Sequence, residues 1–175
     1  MEAYWLKDNK TILFNQTVNG YQNWFSIAAD GSAPEKQHTN DLRNNRQLGL
    51  NSDRTQAVYL SGRDELRLMD LATFESKLLV KDEFWAIQSD SPQFGPDDKN
   101  VLFSAYRNFE RDVMVVNTET KQVRNLTNTA VTESGGIWSP DGKAVYFTSS
   151  RTEPAYPYGL RRPDVFKMPL NLTDD

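Results

Sequence analysis

One histidine, His38, stands in a chain of 175 residues that has no cysteine, so the residues able to do chemistry can be weighed one by one. Composition excludes thiolate nucleophiles, disulfides and thiolate metal sites, and a lone imidazole cannot build a multi-histidine metal centre. His38 sits in the polar stretch Lys36-Gln37-His38-Thr39 and reads as an exposed residue at a strand end. No Gly-x-Ser-x-Gly elbow presents a serine, and no Gly-rich phosphate loop occurs. The acidic pairs Asp97-Asp98 and Asp174-Asp175 lack the alternating oxygen ligands of an EF-type loop. No catalytic residue, metal site or cofactor is therefore expected.

What remains is suited to binding. Arg63, Arg107 and Arg151 recur at spacings of 44 and 44, which reads as a repeated contact between neighbouring units or from a hairpin to a carboxylate. The segment from Arg151 to Pro163 is longer than its counterparts and combines Tyr156 and Tyr158 with Arg161 and Arg162, residue types enriched where proteins bind partners. It is either a partner-binding loop or a flap over a sheet edge. Asn15-Gln16-Thr17, Asn125-Leu126-Thr127 and Asn171-Leu172-Thr173 match the glycosylation sequon, but two of them fall on a repeated Leu-Thr ending that accounts for the match.

The elements that position these residues are repeated. Ile137-Trp138-Ser139-Pro140-Asp141-Gly142-Lys143-Ala144-Val145-Tyr146-Phe147 has relatives at Gln93 to Phe103 and at Tyr4 to Phe14, with a looser copy from Leu50. The bulky position falls at Trp5, Leu50, Phe94 and Trp138, and the turn aspartate at Asp8, Asp53, Asp97 and Asp141; both sets are spaced 45, 44 and 44. Each copy continues into a second apolar run, such as Val113-Met114-Val115-Val116, and then a third short one, with turn residues between. A unit of about 44 residues made of short strands is the mark of a β-propeller blade. The fold class expected is all-β, about four blades of four-stranded antiparallel sheet cut from a larger propeller, with blades near 1–40, 41–84, 85–129 and 130–175 in a single domain. Leu71, Phe74 and Leu78 have helical spacing, yet they occupy the place that Thr120-Lys121-Gln122-Val123 holds in the next copy, and register argues for a turn and strand. The repeated bulky residues are expected to be buried between blades, and Pro140, Asp141 and Gly142 to form a tight turn with φ > 0 at the glycine.

Ser139-Pro140-Asp141-Gly142-Lys143, followed by Val145-Tyr146-Phe147-Thr148-Ser149-Ser150-Arg151, resembles the WD-like propeller repeat of TolB and of the tricorn-type peptidases, and Leu126-Thr127 and Leu172-Thr173 resemble its closing residues. From Asn125 to Gly159 the chain is most similar to the propeller region of tricorn-like serine peptidases of the carboxyl-terminal-processing family. The resemblance implies a bacterial, exported or periplasmic protein whose propeller guides or docks polypeptide substrate for an active site carried elsewhere. A TolB-like interaction module, binding a protein partner with no peptidase attached, is the alternative. A net charge of -4 with no basic block speaks against nucleic acid as a partner, and no run approaches the roughly 18 apolar residues of a membrane span. Met1-Glu2-Ala3 opens nothing like a signal peptide. A stretch of blades with uncovered end faces is also expected to associate with itself.

Overall fold

The repeated aspartates organise the chain by closing the first turn of every sheet. The computed structural model describes residues 1–84, 90–107, 110–152 and 163–170, with the backbone alone at Arg107. Asp8 accepts hydrogen bonds from the backbone N–H groups of Lys10 and Thr11 and from the Thr11 hydroxyl. Asp53 does the same with Thr55, Asp97 with Lys99 and Asn100, and Asp141 with Lys143 and the Ser139 hydroxyl. The following residue is left-handed in all four turns, with φ of 52° at Asn9, 56° at Arg54, 55° at Asp98 and 69° at Gly142. Only Gly142 does this without a Cβ. The other three accept a strain of roughly 1–2 kcal/mol each, which the aspartate's hydrogen bonds offset. The loose copies at Leu6-Lys7 and Asn51-Ser52 therefore keep the same turn without Ser-Pro.

Around these turns the described residues form four antiparallel meanders and no helix. The first sheet is β1 (Ala3–Trp5), β2 (Thr11–Val18), β3 (Tyr21–Ala28) and β4 (Lys36–Gln37). The second is β5 (Asn45–Leu50), β6 (Gln56–Ser61), β7 (Glu65–Asp70) and β8 (Ser76–Lys81). The third is β9 (Gln93–Phe94), β10 (Asn100–Arg107), β11 (Glu110–Asn117) and β12 (Val123–Asn125). The fourth contributes β13 (Glu133–Trp138), β14 (Ala144–Ser149) and β15 (Asp164–Pro169); the strand anticipated at Leu170-Asn171-Leu172-Thr173 lies, beyond Leu170, outside the described residues. Two compact units result, residues 1–92 with the first two sheets and 93–175 with the last two. No helix among the described residues is long and apolar enough to cross a membrane.

Packing follows the two-residue alternation of the strands. In the first unit, Leu13 and Trp24 on one face of the first sheet meet Ala57, Tyr59 and Met69 of the second, all fully buried. In the second unit, Leu102, Val113 and Val115 meet Val145 and Phe147 in the same way. Trp5, Leu50, Phe94 and Trp138 stand at equivalent places, each the last residue of its sheet's first strand, but they are not the buried core anticipated. Trp5 is 49 % exposed, and the other three are half-buried, Leu50 and Trp138 packed against the cores of their own units. The central strands carry the core instead, because their residues have a neighbouring sheet above them along their whole length.

The threonine that ends the third run, Thr39 in the first sheet and Thr127 in the third, has a structural use. The Thr39 hydroxyl accepts the Trp24 N–H at 2.8 Å and donates to Asn23 at 3.0 Å, while the Thr127 hydroxyl accepts the Val113 N–H at 3.1 Å and donates to Asp112 at 3.0 Å. Each threonine thus replaces a ladder bond where the short outer strand stops, and keeps buried Asn23 and Asp112 satisfied. Two sequon asparagines are themselves engaged in the fold: Asn15 is buried with its amide donating to Glu2, and the Asn125 amide donates to Asp112. Leu71, Phe74 and Leu78 form no helix; the Phe74 N–H bonds the Asp70 carbonyl in a turn, and Leu78 lies on β8.

Candidate functional site

The outer ends of the first two sheets bound an open, polar cleft of about 620 Å³, entirely within the first unit. The stop of β4 after Gln37 places His38 beside β3, where its backbone N–H bonds the Trp24 carbonyl at 2.9 Å and its Nε2 lies 2.7 Å from the Ser26 hydroxyl. From the second sheet, Phe74 lays its ring on the imidazole, 3.6 Å between centroids and 12° from parallel. To do so Phe74 takes φ of 61°, a conformation that a bulky residue rarely adopts and that the stack and the Asp70 bond together hold. The rest of the wall is hydrogen-bonded: Tyr59 donates to the Ser76 hydroxyl at 3.0 Å, and Arg67 bridges the Glu65 carboxylate at 2.6 Å and the Ser76 carbonyl at 3.2 Å.

A serine hydroxyl against an imidazole invites a nucleophile and base reading, and the electrostatics of the imidazole bear on it. Burial, aided by the positive charge of Lys36, pushes the His38 pKa down from 6.5 to about 4. A general base works best with a pKa near the operating pH, and at neutral pH this imidazole is uncharged and only weakly basic beside Ser26. His38 is half-buried, which corrects the exposed strand end anticipated for it; the reason is the Phe74 ring, which comes from 36 residues away. What the cleft can do is offer donors, acceptors and an aromatic wall to a polar ligand.

The depressed His38 pKa has a consequence for stability. The folded form resists the proton that the unfolded chain takes up near pH 6.5, so stability is fully present above that pH and falls as pH drops from 6.5 towards 4. In His38→Gln this fall is expected to vanish, which urea titrations at pH 7 and pH 4.5 on both proteins would measure. An equal loss in both would show that another group carries it. The turn aspartates Asp8, Asp53, Asp97 and Asp141 act in a lower window. Hydrogen bonds within their own turns hold their pKa values below the ordinary 3.8, so their contribution is present above that pH and is lost below it.

The other sequence candidates distribute as follows. Tyr156, Tyr158, Arg161 and Arg162 lie outside the described residues. The aspartates line two small grooves between consecutive turns, Asp8 beside Arg54 in one of about 210 Å³, and Asp97 and Asp141 with Trp138 and Gly142 in one of about 320 Å³. Of the three spaced arginines, Arg151 makes the hairpin-to-carboxylate contact, reaching Glu133 at 2.9 Å. Arg63 is exposed, because the position matching Glu133 in its sheet is the uncharged Asn45; the Arg107 side chain is outside the described set. Among the described residues no three metal-ligating side chains gather. Phe74, Tyr59 and Arg67 were not singled out from sequence, since their meeting with His38 depends on two sheets packing.

Comparison with known proteins bears on the fold. No family model matches the chain, and no curated protein matches it. Solved structures do. TolB from Acinetobacter baumannii superposes with a TM-score of 0.66 at 20 % identity over 95 % of this chain and 40 % of its own. The tricorn protease gives 0.69 at 13 % identity, over 93 % of this chain and 17 % of its own, and an oligogalacturonate lyase in complex with manganese gives 0.67 at 17 % identity, over 82 % and 43 %. The chain is thus a run of β-propeller blades, similar in fold to those of TolB and of the tricorn protease. It spans less than half the length of any of these three chains.

Proposed function

We propose that this chain is the non-catalytic propeller segment of a tricorn-like serine peptidase, docking or guiding polypeptide substrate for an active site carried by another domain. The observation that supports it is the use already made of the reactive groups: the repeated carboxylates are taken up by their own turns, and the one imidazole is held neutral and weakly basic beside Ser26. The surface left for function is polar and open, suited to a flexible chain rich in amide groups. Likeness to the tricorn protease over 93 % of this chain supports the parent, while the 20 % identity to TolB favours, as a second reading, a module that binds a folded partner.

Fluorescence anisotropy with labelled, reduced and unfolded casein tests the reading. The purified chain is expected to bind it and to leave it uncleaved. The double variant Tyr156→Ala, Tyr158→Ala is expected to weaken binding by about tenfold, the worth of roughly 1.4 kcal/mol of aromatic contact. Failure to bind casein, in a natural gene with no PDZ-like and serine-protease regions after Asp175, would leave the TolB-like module as the better account.

A further inference from the structure

Asn19-Gly20 is the one place in the sequence where glycine follows asparagine, and the fold puts it at the tip of a hairpin. β2 ends at Val18 and β3 begins at Tyr21, with Val18 opposite Tyr21, so these two residues alone make the loop. Their φ values of 53° and 85° belong to a turn whose twist matches the flanking strands, and asparagine followed by glycine is favoured there. The residues that fold the hairpin are also a reactive pair. The backbone nitrogen of the next residue can attack an asparagine side-chain amide, and it does so most easily when that residue has no Cβ to crowd the approach.

Both reacting groups are free to meet. Asn19 and Gly20 are exposed, and among the described residues neither the Asn19 amide nor the Gly20 N–H makes a hydrogen bond. Nothing lies within 4 Å of the place a Cβ on Gly20 would take. Asn51 is the contrast, because it is followed by Ser52, the smallest residue after glycine to follow an asparagine in this chain. Asn51 is 7 % exposed, its Oδ1 accepts the Thr55 and Gln56 N–H groups at 2.9 Å, and its Nδ2 donates to Asp53 and Thr55. Asn15 and Asn23 are likewise buried and hydrogen-bonded. Those amides must give up bonds before they can react, whereas an exposed hairpin tip opens at little cost.

We propose that Asn19 is a site of covalent modification, converting to isoaspartate and aspartate in the folded chain. The Gly20 nitrogen bonds to the Asn19 Cγ, the Cγ–Nδ2 bond breaks, and the side-chain nitrogen leaves as ammonia with the proton that Gly20 gives up. Water then opens the five-membered imide. Cleavage at Cγ yields ordinary aspartate, and cleavage at the main-chain carbonyl leaves the chain running through Cβ. Water is the co-reactant, and no electrons change hands. Aspartate tolerates the left-handed turn and changes only the charge, at the repeat position where the later sheets carry Arg63, Arg107 and Arg151. Isoaspartate lengthens the main chain of a loop that has only two residues, so it unpairs Val18 from Tyr21 and strains the next contact inward, the Gln22 N–H on the Asn44 side chain at 3.0 Å. The proposal is independent of any peptidase role.

Peptide mapping by mass spectrometry tests it on the full chain held at pH 8, once folded and once in urea. In the folded chain Asn19 is expected to convert from amide to acid about tenfold faster than Asn51, Asn15 or Asn23, a ratio equal to roughly 1.4 kcal/mol of barrier. In urea Asn51 is expected to speed up while Asn19 changes little, because only Asn51 has hydrogen bonds to lose. Electron-transfer fragmentation should place isoaspartate at residue 19. Hydrogen exchange of the modified fraction should rise at residues 17–22 and stay as in the wild type at Leu13 and Trp24. An Asn19 that stays intact in the folded chain while converting in urea overturns the proposal, as does an Asn51 that reacts as fast as Asn19 when folded.

Discussion

Trp24→Ala is expected to destabilise the first unit by about 3–5 kcal/mol, the cost of emptying a large aromatic site in a core. Trp24 is 0 % exposed and is set edge-on between two tyrosines, 6.4 Å from Tyr4 and 6.0 Å from Tyr59, so its ring fills the space where the first sheet meets the second. Both neighbours belong to strands fixed by their own ladders and cannot collapse into the gap. Set against a typical domain stability of roughly 5–15 kcal/mol, the loss removes a large share of the margin. Hydrogen exchange read by mass spectrometry should show protection falling across residues 11–28 and 56–70. Trp24→Phe supplies the contrast. The indole N–H finds no acceptor among the described residues, and removing an unsatisfied buried donor recovers about 1–3 kcal/mol, which offsets the smaller ring. Near-equal stability of Trp24→Phe and wild type is the expected result. A Trp24→Ala protein within 1 kcal/mol of wild type would show that the two sheets do not depend on this contact.

Glu133→Ala is expected to cost the second unit about 2–3 kcal/mol, somewhat below the roughly 3–5 kcal/mol of breaking a wholly buried ion pair. Glu133 is fully buried at the start of β13, and one carboxylate oxygen accepts the Thr129 hydroxyl at 2.6 Å, the Ser149 hydroxyl at 3.0 Å and the Arg151 guanidinium at 2.9 Å. Removing the carboxylate leaves the buried Ser149 hydroxyl without its acceptor, while the half-buried Thr129 hydroxyl retains the Val131 carbonyl at 3.1 Å. Arg151 suffers less, because its side chain is 31 % exposed and its guanidinium already lies over the Phe147 and Phe166 rings, 5.2 and 4.9 Å from their centres. Glu133→Gln keeps an acceptor for the hydroxyls and loses only the charge, so about 1 kcal/mol is expected there. Urea denaturation of the three proteins at pH 7 would rank them. Equal losses for Gln and Ala would mean that the charge, rather than the hydrogen bonds, does the stabilising.

The repeat, the strand-turn-strand order and the turn geometry were legible in the amino-acid sequence because their causes are local. An aspartate that bonds N–H groups two and three residues on closes a turn wherever it stands, and an unbroken apolar run such as Val101-Leu102-Phe103, without alternation, reads as a central strand buried on both faces. What the sequence could not determine was which faces acquire a partner. Trp5 and Trp138 occupy the same place in the repeat, yet Trp5 is exposed and Trp138 is packed, since Trp138 has the third sheet in front of it and Trp5 has no described sheet there. Likewise His38 reads as a polar strand end until Phe74 from the next sheet stacks on it and burial lowers its pKa, and Arg151 and Arg63 read alike until the first finds Glu133 where the second has only the uncharged Asn45 in its sheet. Hydrogen bonds spanning two or three residues are set by residue order alone, whereas burial and charge pairing depend on surfaces tens of residues apart, and only the packing of whole sheets brings those together.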